Sequence, residues 1–281
     1  MPYLDRTFRF GLGGGMPPIT RNLLIANAAI WLLSLFFKPF LFEIFALHPN
    51  AVINDLAVWQ LFTYMFLHGS FFHLFFNMFF GLWMFGREIE RTLGSRYFLR
   101  FYILTGIGGG FFQLIANWGS SIPIVGASGA IYGILTAFAV LFPHRIITLL
   151  LFFIFPVQLK ARTFVLIFIG ISLVLGFQSQ VFGTTDGVAH FAHLGGAFVG
   201  LVILRGHAFY QEILRRIAHT QQKRRYERER QRQMRIQQKR RDIDSILDRI
   251  NEIGYENISQ EEKEYLKQAS EFLSNEDKTK S

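Results

Sequence analysis

The sequence predicts an all-α fold: a polytopic membrane protein made of a six-transmembrane-helix bundle with a C-terminal cytoplasmic helical tail. Three observations carry this expectation. Of the 281 residues 51% are hydrophobic and 33 are Phe, and the apolar residues are concentrated between residues 20 and 205. There they form continuous runs approaching the ~20 residues needed to cross a bilayer, not the apolar/polar alternation of a soluble core. The cationic residues gather between those runs and in the tail, the distribution that orients spans in a membrane.

Taken in order, residues 1–19 read as a cytoplasmic N-terminal segment holding Arg6, Arg9 and the run Gly13, Gly14, Gly15. The apolar run that follows has no small-residue cleavage pattern, so no cleavable signal peptide is expected. Pro17 and Pro18 mark a stop before the first helix. Spans are expected at 20–37, 71–86, 97–117, 128–142, 163–178 and 188–204, and residues 20–205 together form one domain. The fourth span is short and begins abruptly after Gly126-Ala127. Leu56–Leu67, which contains Gln60, Thr63 and Tyr64, reads as an amphipathic element on the membrane surface leading into the second span. Ile146–Leu159 is only 14 residues long, contains Pro156 and is basic at both ends, so it reads as an interfacial or re-entrant piece.

Six spans place both termini on one side. The segments on that side carry Arg6, Arg9 and Arg21, then Arg87, Arg91 and Arg96, then Arg145, Lys160 and Arg162, and finally the tail. The opposite loops carry only Lys38. Both termini are therefore expected in the cytoplasm, with the chain in the cell (inner) membrane and the N-terminal ends of spans two, four and six at the outer face. The net charge of +9 is explained by this asymmetry, and no nucleic-acid partner is inferred from it. With no cysteine, neither a disulfide framework nor a thiolate metal site is available.

Polar side chains inside spans are expensive and invite a functional reading. His73 and Asn77, at i and i+4, share one face in the first turns of span two. Ser128 opens span four within Gly126-Ala127-Ser128-Gly129, and His190 and His193 lie in the first turns of span six. All fall near the outer ends of their helices, at similar depth, as one site requires. A serine needs a base to become a nucleophile, and histidine is the usual one. The Ser128 amide and the side chains of His73 and Asn77 are candidate donors to an oxyanion. Gly126 and Gly129 allow a substrate backbone to approach closely, and Tyr132 can hold the imidazole by stacking. The residues alone leave other readings open. Ser128 in a Gly/Ala-rich span also suits helix packing, as do the pairs Gly129/Gly133 and Gly196/Gly200. His190 and His193 could ligate a metal with His68 and His73. An ion transporter would be expected to place acidic residues at mid-membrane, and none is present.

These motifs resemble those of the rhomboid family of intramembrane serine proteases. The matching features are His73-x-x-x-Asn77, Gly126-Ala127-Ser128-Gly129 with Tyr132, and Ala192-His193-Leu194-Gly195-Gly196 with Gly200. Trp59-Gln60-Leu61-Phe62-Thr63 and Gly86-x-x-x-Glu90-x-x-x-Gly94 are also similar to family signatures. The resemblance covers residues 20–205 in order. It implies a serine endopeptidase that cleaves transmembrane protein substrates near the outer face, within a six-helix bundle holding a water-filled cavity. Ser128 would be the nucleophile, His193 the general base, and His73, Asn77 and the Ser128 amide the oxyanion hole. No cofactor or metal is implied, and His190 falls outside the catalytic positions. Many members have Trp-Arg where this chain has Trp59-Gln60. Some have lost the serine or histidine; both are present here. A non-proteolytic relative that binds transmembrane clients is the runner-up.

Residues 206–241 form a strongly basic juxtamembrane arm, read as a solvated helix that also rests on anionic lipid. Residues 242–281 turn acidic. Ile243, Ile246, Leu247, Ile250 and Ile253 form a helical stripe ended by Gly254, and Ser259-Gln260-Glu261-Glu262 is a capping box opening a second helix. This predicts a small helical hairpin.

Overall fold

The computed structural model describes residues 15–151, 155–183 and 186–278; Arg6, Arg9 and Gly13 lie outside the described residues. Its helices are α1 (Pro18–Phe45), α2 (Pro49–Asn54), α3 (Gln60–Thr63), α4 (Phe71–Phe75), α5 (Arg87–Leu93), α6 (Ser95–Ala116), α7 (Ser128–Leu141), α8 (Ala161–Phe182), α9 (His190–Ile253) and α10 (Gln260–Lys278). Among the described residues α1, α6, α8 and α9 are long and apolar enough to cross a membrane. A fifth such element arises if Gln60–Phe66 and Phe71–Leu93, bent by 98°, are one span, and α7 is a shorter apolar helix. This is an α-helical polytopic membrane architecture. Contacts divide the chain into Met1–Ala208 and Phe209–Ser281.

In the first unit, α1 runs beyond the expected end of the first span. The boundary foreseen at residue 37 is a kink at Phe37 (φ −123°, ψ 27°), two residues before Pro39, because proline removes a helix hydrogen bond and clashes with the preceding turn. The N-terminus of α1 is held from a distant part of the chain. The Glu90 carboxylate accepts from the amides of Ile19 (3.0 Å) and Thr20 (2.7 Å) and from the hydroxyls of Thr20 (2.7 Å) and Ser95 (2.7 Å). Those amides are among the donors a helix leaves unpaired at its start, so a carboxylate there acts as cap and dipole partner together. Glu90 thereby ties α1, α5 and α6 at one end of the bundle.

Two short segments gain definition in the structure. Leu56–Leu67 has two distinct faces, one of them packed against the bundle. Val58, Trp59 and Phe62 are exposed, but Gln60, Tyr64 and Met65 are buried. Its polar groups find partners inside the bundle: Gln60 accepts from the His48 amide (2.9 Å), Thr63 donates to the Phe45 carbonyl (2.8 Å) and Tyr64 to the Gly106 carbonyl (2.7 Å). Ile146–Leu159 lies within an antiparallel hairpin, β1 (Ile146–Leu151) paired with β2 (Phe155–Lys160), in register Ile147↔Leu159 and Leu149↔Val157. Pro156 forbids an uninterrupted helix, and the β-branched, alternating flanks suit a strand whose Ile147 face packs on the core while Thr148 and Gln158 face outward.

The second span is not a uniform α-helix. Between α4 and α5, residues Phe76–Gly86 form a π-helix, a rare conformation frequent at functional sites. A column of aromatics stacks along it, with ring centroids 5.2 Å apart for Phe75–Phe79 and 4.9 Å for Phe79–Trp83.

In the second unit, α9 ends at Gly254 (φ 87°) and α10 folds back along it. The capping box forms: the Ser259 amide donates to Glu262 (2.8 Å) and the Glu262 amide to the Ser259 hydroxyl (3.2 Å). Arg249 pairs with Glu262 at 2.7 Å, Tyr265 donates to Asp242 (2.7 Å), and Lys239 sits over the Phe272 ring at 4.2 Å. Ile236, Ile246, Ile258 and Ala269 are the buried apolar contacts, so the pairing reaches back to Ile236.

Replacing Glu90 with Ala removes the acceptor for four donors at a buried site. Unfolding in detergent by denaturant is expected to show a loss of about 3 kcal/mol, the scale of hydrogen bonds to a charged group plus unpaired donors. Unchanged stability would refute the role of Glu90 as the cap of α1.

Candidate active site

Tight helix approach brings the candidate residues together. α7 begins at Ser128, directly after Gly126, whose φ of 124° is a conformation L side chains rarely adopt. A Cβ on Gly126 would lie 2.6 Å from His73 Nε2, so only glycine lets this backbone lie against the His73 ring. The Gly126 amide is anchored to the Tyr64 carbonyl (3.0 Å). On α9, a Cβ on Gly196 would lie 1.9 Å from the Gly129 carbonyl oxygen, and one on Gly109 of α6 would lie 2.7 Å from the Ala192 carbonyl. α6, α7 and α9 therefore meet backbone to backbone beside Ser128 and His193. The small-residue pairs foreseen as packing elements serve that purpose.

His193 Nε2 is 2.8 Å from Ser128 Oγ. Tyr132, one turn after Ser128, stacks on the imidazole with ring centroids 4.2 Å apart and planes 9° from parallel. On the far side of the ring, His193 Nδ1 is 3.3 Å from Ser172 Oγ on α8, and the Tyr132 hydroxyl is 2.9 Å from the same oxygen. His73 follows the N-cap Ser70, whose hydroxyl accepts from the His73 amide at 3.2 Å. Asn77 donates to the His73 carbonyl at 2.8 Å. A side-chain amide carries two hydrogens, and this bond uses one of them. Ser128, His193, His73, Asn77 and Tyr132 all line one cavity of about 1090 Å³. Gly129 sits behind the site, in the helix contact.

The histidines do not gather as metal ligands. His190 Nε2 is 2.9 Å from Asp186 Oδ2 in the loop before α9, while His193 is directed at Ser128. Among the described residues no three His, Asp or Glu side chains converge on a point that could hold an ion. Partial burial of the Asp186 carboxylate pushes its pKa upward, but hydrogen bonds from His190 and the Val188 amide outweigh this and hold it below the usual range. The pair fastens that loop to the first turn of α9. Gln113 of α6 adds a second fastening by accepting from the Ala192 amide at 2.9 Å.

Ser172 and Gln113 were not singled out by sequence, nor was the pairing of His190 with Asp186. Ser172 is a lone hydroxyl inside the apolar run of α8, where the cost of burying it was the one available signal. Its proximity to His193 depends on packing between helices.

The Rhomboid domain family model matches residues 55–207. The chain is 34% identical over 141 residues to Rhomboid protein 1, mitochondrial, of Saccharomyces cerevisiae, covering 49% of this chain and 38% of that protein. It is 32% identical over 155 residues to Rhomboid protease GlpG of Haemophilus influenzae, covering 55% of this chain and 72% of that protein. To Rhomboid protease GluP of Bacillus subtilis it is 39% identical over 93 residues, covering 33% and 18%. The chain thus spans well under two thirds of the yeast and Bacillus relatives.

Replacing Gly196 with Ala forces a methyl group into the Gly129 carbonyl and must spread α7 from α9. The expected result is a folded protein whose Ser128 reacts at least tenfold more slowly with a fluorophosphonate, since a displacement near 1 Å costs reactive groups about 100-fold. Labelling at the wild-type rate would show that the glycine contact does not set the Ser128–His193 distance.

Proposed function

Because the chain belongs to the rhomboid family, we propose that it is an intramembrane serine endopeptidase using Ser128 and His193 as a catalytic dyad. It is an integral membrane protein, and the family supports proteolysis of transmembrane substrates within the bilayer. The observation that carries the finer reading is the 2.8 Å contact between His193 Nε2 and Ser128 Oγ, both facing the cavity. In this reading His193 takes the hydroxyl proton as Ser128 attacks the scissile carbonyl, then returns it to the leaving amine; water repeats the cycle on the acyl-enzyme. The Ser128 amide at the start of α7 and the side chains of His73 and Asn77 donate to the oxyanion. Asn77 shares its amide with the His73 carbonyl, so its other hydrogen performs this role. Gly126 admits the substrate backbone and Tyr132 holds the imidazole flat.

The same reading counts six spans. The four long apolar helices are joined by the bent element Gln60–Leu93 and by α7. Basic inner segments place both termini in the cytoplasm of a cell whose inner membrane holds the chain, and the cut near the outer leaflet. A regular helix hides its carbonyls, so the preferred substrate is a single span that unwinds readily near that face. The basic residues 206–241 rest on anionic lipid, and residues 242–281 form a separate hairpin outside the chemistry.

The test is cleavage of a tagged single-span substrate by purified protein in liposomes. Ser128→Ala and His193→Ala are expected to abolish cleavage while leaving the unfolding transition in place, and chelators to have no effect. Activity lost to EDTA and restored by zinc would overturn the dyad. His73→Ala and Asn77→Ala are expected to lower kcat by up to about 100-fold with little change in KM, since their donors matter once the oxyanion forms. A change confined to KM would remove them from the oxyanion hole.

A further inference from the structure

We infer that Ser172 is a positioning residue for His193, the third group of a hydrogen-bonded chain Tyr132–Ser172–His193–Ser128; this rests on the reading of Ser128 and His193 as a dyad. A neutral imidazole holds one proton. To accept the Ser128 proton at Nε2, His193 must keep its own on Nδ1, and in a soluble triad a carboxylate enforces that tautomer. Here the loop carboxylate Asp186 is bonded to His190 instead. The group at Nδ1 is the Ser172 hydroxyl, 3.3 Å away and only 1% exposed.

The chemistry of the hydroxyl suits this task. Its oxygen has lone pairs to accept from His193 Nδ1–H, and the hydroxyl is paired at 2.9 Å with that of Tyr132, whose own proton also reaches the Phe168 carbonyl at 3.5 Å. Tyr132 therefore acts twice on the same imidazole, by stacking on its face and by turning the Ser172 lone pairs toward Nδ1. When Ser128 gives up its proton, the imidazolium keeps its Nδ1–H on Ser172, which accepts a hydrogen bond and takes no proton. A carboxylate at this point of α8 would place a second charge within a membrane span, which is costly. A hydroxyl orients the ring without that charge. The other neighbour of the ring, His190, is edge-on at 5.8 Å between centroids and touches neither nitrogen in the hydrogen-bonded chain.

The experiment uses the full chain reconstituted in liposomes, with kcat and KM for a tagged single-span substrate, the fluorophosphonate labelling rate of Ser128, and thermal unfolding. Ser172→Ala is expected to lower kcat and the labelling rate together by about tenfold, the loss that one net hydrogen bond represents, with KM unchanged. Ser172→Thr keeps the hydroxyl and is expected to recover most of both rates. Tyr132→Phe keeps the stacked ring, loses its hydroxyl and falls between. Wild-type kcat and labelling in Ser172→Ala, or an equal fall in Ser172→Ala and Ser172→Thr, would overturn the role while leaving the dyad intact. Cleavage retained by Ser128→Ala would instead bring down the dyad reading, and the role of Ser172 with it.

Discussion

A Cβ on Gly196 would fall 1.9 Å from the carbonyl oxygen of Gly129, so α9 and α7 touch through their backbones with no side chain between them. Gly109 of α6 closes the same contact against the Ala192 carbonyl and Gly129. Association of helices in a bilayer gains nothing from hydrophobic exclusion, because lipid is as apolar as leucine. Close van der Waals approach at small residues and interhelical hydrogen bonds take its place. Ser128 lies one residue from Gly129 and His193 three from Gly196, which sets how closely a hydroxyl on one helix and an imidazole on the other approach. A wider spacing would separate them even if every polar residue remained.

Around that contact, polar groups are satisfied by partners from distant segments. Glu90 caps the start of α1, Gln113 receives the Ala192 amide, and Tyr64 bridges Gly106 and the Gly126 amide. Each bond would be of modest value in water, but a buried donor left unpaired costs more than the bond is worth. The effect is to fix helix positions along their axes, which apolar packing alone specifies weakly. Gln113 and the Asp186–His190 pair secure the first turn of α9, the turn that carries His193.

The second span contributes differently. His73 and Asn77 sit where α4 gives way to the π-helix Phe76–Gly86, and within it the absence of a side chain at Gly81 lets the backbone approach α7 so closely that a Cβ would meet Ile131 at 2.5 Å. The helix that holds the candidate oxyanion donors is thus packed against the helix that opens with Ser128. The hairpin of β1 and β2 joins the bundle through its Ile147 face, and Leu149 lines the cavity.

What the sequence by itself determined is the class of solvent and the candidates for the reacting groups. Long apolar runs, the basic segments between them, the i, i+4 spacing of His73 and Asn77, and Ser128 at a helix start are local features, legible because each depends on nearby residues. The tail was legible for the same reason: Gly254 and the Ser259–Glu262 box act within one turn. The partners of Gln60 and Tyr64 were not foreseen, because they lie in segments far away in the chain; the kink at Phe37 and the strand pairing of residues 146–160 were not foreseen either, although Pro39 and Pro156 act locally. Ser172 is the clearest case. Its sequence context is a single hydroxyl among Ile171, Leu173 and Val174, compatible with packing anywhere on α8. Only the approach of α8 to α7 and α9 decided that its oxygen meets His193 Nδ1, since a hydrogen bond across helices depends on their rotation and axial offset, which no local spacing encodes.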